Sequence, residues 1–214
     1  MTDFTELVDL ASEKSGGAVL YANDEFFAPK ENLLKPAAPV FIEGKYTDLG
    51  KWMDGWETRR RRSPRLDEKF DWCIIRLGLA GIVRGVVVDT SFFRGNFPSH
   101  CSIEACAING QPDVERLKAA EWTGILPLTE LEGDSHNHFQ INYQKRVTHL
   151  RLKIYPDGGV ARIRHELGER TRLHDSPALD ERHAGRDGRC RRKVVGGVDD
   201  RRPSGLVHLA DLHL

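Results

Sequence analysis

Two stretches of the chain gather side chains able to do acid, base and anion chemistry. In Lys51 to Arg62 (KWMDGWETRRRR), Trp52 and Trp56 lie four residues apart around Asp54-Gly55, and Glu57, Arg59 and Arg60 follow. In Gly85 to Pro98 (GVVVDTSFFRGNFP), an apolar run delivers Asp89, Thr90, Arg94 and Asn96 in quick succession. Guanidinium forks take carboxylates in two-point fashion, carboxylates move protons, and Gly-Asn admits a positive φ without strain. An indole wall bearing Asp54, Glu57, Arg59 and Arg60, facing a loop bearing Asp89, Thr90 and Arg94, would bind a small polar anion. The same residues admit a plainer reading, in which Asp89 caps local backbone, the indoles are core and the arginines are solvated.

A third stretch, Asp134-Ser-His136-Asn-His138-Phe139, places two histidines on one face of any strand that holds it. Without a third ligand at a recognisable spacing, hydrogen-bonded or surface histidines are the preferred reading, and neither a metal nor another cofactor is expected. Cys73, Cys101, Cys106 and Cys190 show no C-x-x-C spacing and read as reduced thiols, with Cys73 in a buried strand.

The elements that must position these residues are mostly strands. Residues Asp3 to Ser15 space Phe4, Leu7, Val8 and Ala11 as a short amphipathic helix stopped at Gly16-Gly17. Ala18 to Ala22 is a brief strand, and Lys35-Pro-Ala-Ala-Pro39 a stiff linker. Phe70 to Gly78 and Ile82 to Val88 read as an antiparallel hairpin turning at Leu79-Ala80-Gly81. Cys101 to Ile108 is a further strand, Val114 to Trp122 has helical character, and Ile125 to Leu128 is edge-like because Pro127 cannot donate to a ladder. Val147 to Tyr155 and Val160 to Arg164 alternate on either side of Pro156-Asp157-Gly158-Gly159, the pattern of a second hairpin. Short strands punctuated by Gly, Pro, Asn and Asp imply an all-β sandwich of jelly-roll kind.

Lys plus Arg and Asp plus Glu balance at 32 each, so no whole-chain charge argues for nucleic acid or a membrane surface. No apolar run approaches the length of a membrane span, and the N-terminus lacks the pattern of a signal peptide, so a cytoplasmic location is expected.

Several long strings, in order, resemble the allantoicase family. They include Ala22-Asn-Asp-Glu-Phe-Phe-Ala-Pro29, Phe41-Ile-Glu43-Gly-Lys45-Tyr46, Lys51 through Arg60, Asp71 through Gly78, Asp89 through Asn96, and Tyr155-Pro-Asp-Gly-Gly-Val-Ala-Arg162. The resemblance covers about residues 10 to 165 and implies a galactose-binding-domain-like jelly roll that hydrolyses allantoate to ureidoglycolate and urea in purine catabolism. The chemistry of that reaction asks for an acid, a base and a carboxylate clamp. Glu57, Asp54, Asp89 and Glu43 are the candidates for acid and base. Arg94 is the first choice of clamp and Arg59 or Arg60 the second; Lys45, Thr90 and Asn96 would take the ureido groups, with Trp52 and Trp56 as walls. Non-catalytic ligand binding by the sandwich, or an inactive truncated product, remain alternatives.

The domain division expected is a helical segment over 1–16, a β-sandwich repeat over 17–168, and a tail over 169–214. The resemblance implies two repeats, and a homo-oligomer where both are present, yet no second Gly-Trp-Glu-Thr string follows Arg164. From Thr171 onward there is no Phe, Tyr or Trp, and Arg, Asp and Gly dominate, a composition of low order. Translation from a shifted frame would explain it; a genuine basic tail engaging a partner is the other reading.

Overall fold

The computed structural model describes residues 9–61 and 70–167. The start of the expected N-terminal helix, the later arginines of the first run, Cys190 and the whole tail over 169–214 lie outside the described residues.

Two antiparallel sheets face each other across one core. The larger has the order β1-β5-β10-β7-β8, from β1 (Ala18–Ala22), β5 (Asp71–Gly81), β10 (Val147–Tyr155), β7 (His100–Cys106) and β8 (Thr123–Glu130). The smaller has the order β12-β6-β9, from β12 (Arg162–Leu167), β6 (Val83–Asp89) and β9 (His136–Gln140). Cys73, Ile75 and Leu77 of β5, Leu150 and Leu152 of β10 and Ile103 of β7 meet Val86, Val88 and Ile163 of the smaller sheet in a single apolar cluster. This is the expected jelly-roll type of β-sandwich, and the alternation of side chains across each strand is what builds it.

Two short pairs complete the strands among the described residues: β2 (Tyr46–Thr47) with β3 (Gly50–Lys51), and β4 (Trp56–Glu57) with β11 (Gly159–Val160). The α-helix α1 (Val114–Lys118) is capped by Asp113, whose side chain accepts from the Arg116 N–H. β8 is an edge strand, as Pro127 requires.

Both expected hairpins are corrected by the pairing. β5 pairs with β1 and β10, whereas β6 pairs with β12 and β9, so the chain crosses from one sheet to the other near Gly81-Ile82. Likewise β10 lies in the larger sheet and β12 in the smaller, with a cis Tyr155–Pro156 bond and β11 between them. Periodicity reports which face of a strand is buried, and a sandwich crossover shows the same apolar-turn-apolar pattern as a hairpin. The described part of the N-terminal segment is also not an α-helix: it forms a 3-10 turn over Glu13–Ser15, with Leu10 and Ala11 buried.

Candidate active site

The site is built where β4 and β11 meet at one end of the sandwich. Asp54-Gly55 bends the chain into β4, and alternation then sends Trp56 into the core, fully buried, and Glu57 to the opposite face. The Glu57 backbone is fixed on both sides. Its carbonyl accepts from the Phe27 and Ala28 N–H groups, its own N–H donates to Ala28 O at 3.2 Å, and Gly159 lies opposite it in β11. Glycine is required at 159 because a Cβ there would lie 1.9 Å from the Phe93 ring.

The loop from Ser91 to Pro98 closes over this face. The Gly159 N–H donates to Asn96 O at 2.7 Å, and Arg60 Nη2 donates to Gly95 O at 2.8 Å. Asp134 shapes the other side, its Oδ1 accepting from the Phe92 N–H at 2.7 Å and its Oδ2 from Arg94 Nε at 2.9 Å. Phe92 is held at φ +69, a conformation a bulky residue rarely adopts, and its ring stacks on Phe41.

Between strand and loop is a cavity of about 300 Å³ lined by Phe27, Lys51, Met53, Glu57, Phe92, Arg94, Gly95 and Asn96. Asn96 Nδ2 donates to Glu57 Oε1 at 2.7 Å. Burial pushes the Glu57 carboxyl above the ordinary glutamate range, opposed by the Asn96 hydrogen bond and the charge of Arg60. The cavity thus sets one carboxyl whose pKa is raised by burial against two cations, Lys51 and Arg94. Arg94 is 81% exposed and, among the described residues, engages only through its Nε, which leaves both terminal nitrogens for a ligand.

Of the residues expected from sequence, Glu57, Arg94 and Asn96 line this cavity. Arg60 stands behind it, joined to the Gly95 carbonyl and to the buried Asp157. The others are not brought there. Asp54 is buried against Arg162 at 2.7 Å and Lys35 at 3.3 Å, and accepts from the Val40 N–H. Burial alone would raise its carboxyl, but the hydrogen bonds from Arg162 and Val40 and the charges of Arg162 and Lys35 hold it below the usual range. It anchors the proline linker to β12.

Thr90 is fully buried and its hydroxyl spans the carbonyls of Glu132 and Ser135, tying two loops together. Trp56 donates its indole N–H to Asp24 O at 2.8 Å. Arg59 pairs with Asp24 at 2.7 Å over the Phe26 ring, and Lys45 lies over the Trp52 ring at 3.7 Å. Glu43 occupies an exposed turn. Asp89 lines a different cavity, with His136 and His138.

Sequence reasoning missed Lys51, Phe27, Met53 and Phe92 as lining residues and Asp134 and Asp157 as the carboxylates that fix the arginines. Lys51 carried a signal of a kind, since it opens the same string that contains Glu57.

Fold and cavity together define a β-sandwich repeat with a buried carboxyl and a cationic rim at one end. The chain belongs to the allantoicase family: the model of the allantoicase repeat matches residues 8–170. A probable allantoicase of Burkholderia mallei is 46% identical over 173 residues, which are 81% of this chain and 47% of that one. A probable allantoicase of Ralstonia nicotianae is 49% identical over 163 residues, covering 76% of this chain and 46% of that one. The crystal structure of an allantoicase from Saccharomyces cerevisiae superposes with a TM-score of 0.59 at 32% identity, over 75% of this chain and 43% of that one. A second allantoicase structure gives a TM-score of 0.64 at 36% identity, over 75% and 48%. The chain spans about half the length of the curated relatives it matches.

Proposed function

We propose that the chain hydrolyses allantoate to ureidoglycolate and urea at the Glu57 cavity, and that residues 17–168 form the repeat carrying this site. The observation that carries the reading is Glu57 itself: a buried carboxyl with a raised pKa, tied to Asn96 and facing Lys51 and Arg94, in a member of the allantoicase family.

Allantoate bears a carboxylate and two ureido groups on one carbon. Arg94 and Lys51 hold the carboxylate, which fixes that carbon near Glu57. With Oε1 occupied by Asn96, Oε2 carries the proton and gives it to the nitrogen of the departing ureido group. The C–N bond breaks as the lone pair of the remaining ureido nitrogen supports the carbon, and urea leaves. Water then adds to that carbon and returns a proton to Glu57, so one water is consumed and the carboxyl ends as it began. Phe27, Met53 and Phe92 give the site apolar walls, which strengthen each charge interaction inside it. The reaction belongs to purine breakdown, and the cytoplasm is the compartment that goes with it.

The test is a urea and ureidoglycolate assay on the purified full-length chain given allantoate. Equimolar release of the two products supports the reading; a folded chain that releases neither contradicts it.

A further inference from the structure

We propose that the outer face of the smaller sheet carries a second binding site, between Arg164, His136, His138 and Asp89, for a small carboxylate that also bears N–H donors. The site lies outside the Glu57 cavity and shares no lining residue with it.

Strand register assembles it. On β6, Val86 and Val88 face the core, so Val87 and Asp89 face outward. Pairing aligns Arg164, Val87 and His138 in one row across the three strands, and Arg162, Asp89 and His136 in the next. Neighbouring strands lie about 4.8 Å apart, so Arg164 and His138 rise on either side of Val87 like two posts beside an apolar floor. The proline linker supplies the wall: Ala38 and Pro39 close a cavity of about 250 Å³ over Val87, Asp89, His136, His138 and Arg164. That linker is itself pinned, because Arg162 donates to Ala37 O at 3.0 Å and pairs with Asp54, which accepts from the Val40 N–H.

The donor set selects the ligand. Among the described residues no hydrogen bond or ion pair engages the Arg164 guanidinium, so its fork is available to a carboxylate. The two imidazoles stand across the floor from it, their centroids 6.4 Å apart, and His136 adds a donor on the far side. Asp89 Oδ1 is used by the Ser91 N–H at 2.8 Å, while Oδ2, 3.5 Å from His136 Nε2, still has acceptor capacity for an N–H of the ligand. A cation is the poorer match, since among the described residues no three His, Cys, Asp or Glu groups converge as metal ligands and Arg164 would repel one. A carboxylate with an amide or ureido group matches Arg164, His136 and Asp89 together.

The probe is N-carbamoylglycine, titrated into the full-length chain while the imidazole ring signals of His136 and His138 are followed by NMR. Both signals are expected to move saturably. Arg164→Gln should weaken the association about tenfold or more, the effect of losing a charge-assisted pair. His136→Gln should weaken it as well, read on the His138 ring signal, and serves if the arginine variant does not fold. Acetate should bind more weakly, since it offers nothing to Asp89, and Glu57→Gln should leave the ring shifts unchanged. Immobile ring signals at millimolar probe, or both variants titrating like the wild type, would overturn the site. Acetate binding as tightly as the ureido acid would overturn the selectivity assigned to Asp89.

Discussion

Acidification below the ordinary histidine range should destabilise this repeat, because His165 is sealed in the core as a neutral ring. It lies on β12 opposite Val86, fully buried, with neither ring nitrogen hydrogen-bonded among the described residues. Burial lowers its pKa to about 4, against the opposing pull of the Asp9 carboxylate. In the unfolded chain a histidine takes its proton near 6.5. The contribution is therefore complete above 6.5 and is lost as pH falls from 6.5 towards 4, where it amounts to about 3 kcal/mol. His149, also buried and lowered by burial and then by the charge of Arg76, acts in the same direction. Glu57 acts oppositely: its raised pKa favours the folded state below the unfolded value and costs stability as pH rises through the folded one. Guanidinium unfolding of the full chain at a series of pH values between 7.5 and 4 reads the sum. His165→Leu should flatten the slope while keeping stability at pH 7.5 within about 1.5 kcal/mol, since it exchanges one buried ring for an apolar side chain of similar volume. A wild-type stability that is level across this range, or a variant with the wild-type slope, would refute the reasoning.

Two further expectations follow from the buried polar contacts. Arg162→Met removes the partner of a buried carboxylate and should cost about 3–5 kcal/mol in the same unfolding assay; Asp54→Asn together with Arg162→Met should recover much of that loss. Asn96→Ala deletes the hydrogen bond that holds the Glu57 carboxyl down, so the Glu57 pKa, followed by carboxyl carbon NMR, should rise further; an unchanged or lower value would show that Asn96 does not act on it.

Much of the architecture was legible from residue patterns. Alternation marked the strand at Val147, the stretch from Cys101 also read as a strand, Pro127 marked the sheet edge, and Cys73 read as buried in a strand, as it is. What the chain did not disclose was partnership. Gly81 and the Pro156–Gly159 segment both look like hairpin turns, but each carries the chain across to the facing sheet, and a strand's own pattern does not name its neighbour. The site shows the same limit. Glu57, Arg94 and Asn96 come from two strings that read as chemical in the sequence, whereas Asp134, forty residues from Arg94, becomes its partner only through the sheet that brings β9 beside β6. Asp54 looked equivalent to Glu57 until Arg162, 108 residues further on, claimed it.

The most direct test is the pH dependence of urea release from allantoate by the wild-type chain and by Glu57→Gln. If Glu57 donates the proton, wild-type kcat/KM should fall as pH rises through its raised pKa, and the variant should lose roughly 100-fold or more in kcat. A variant that turns over allantoate at the wild-type rate, with the same pH profile, would remove Glu57 from the chemistry.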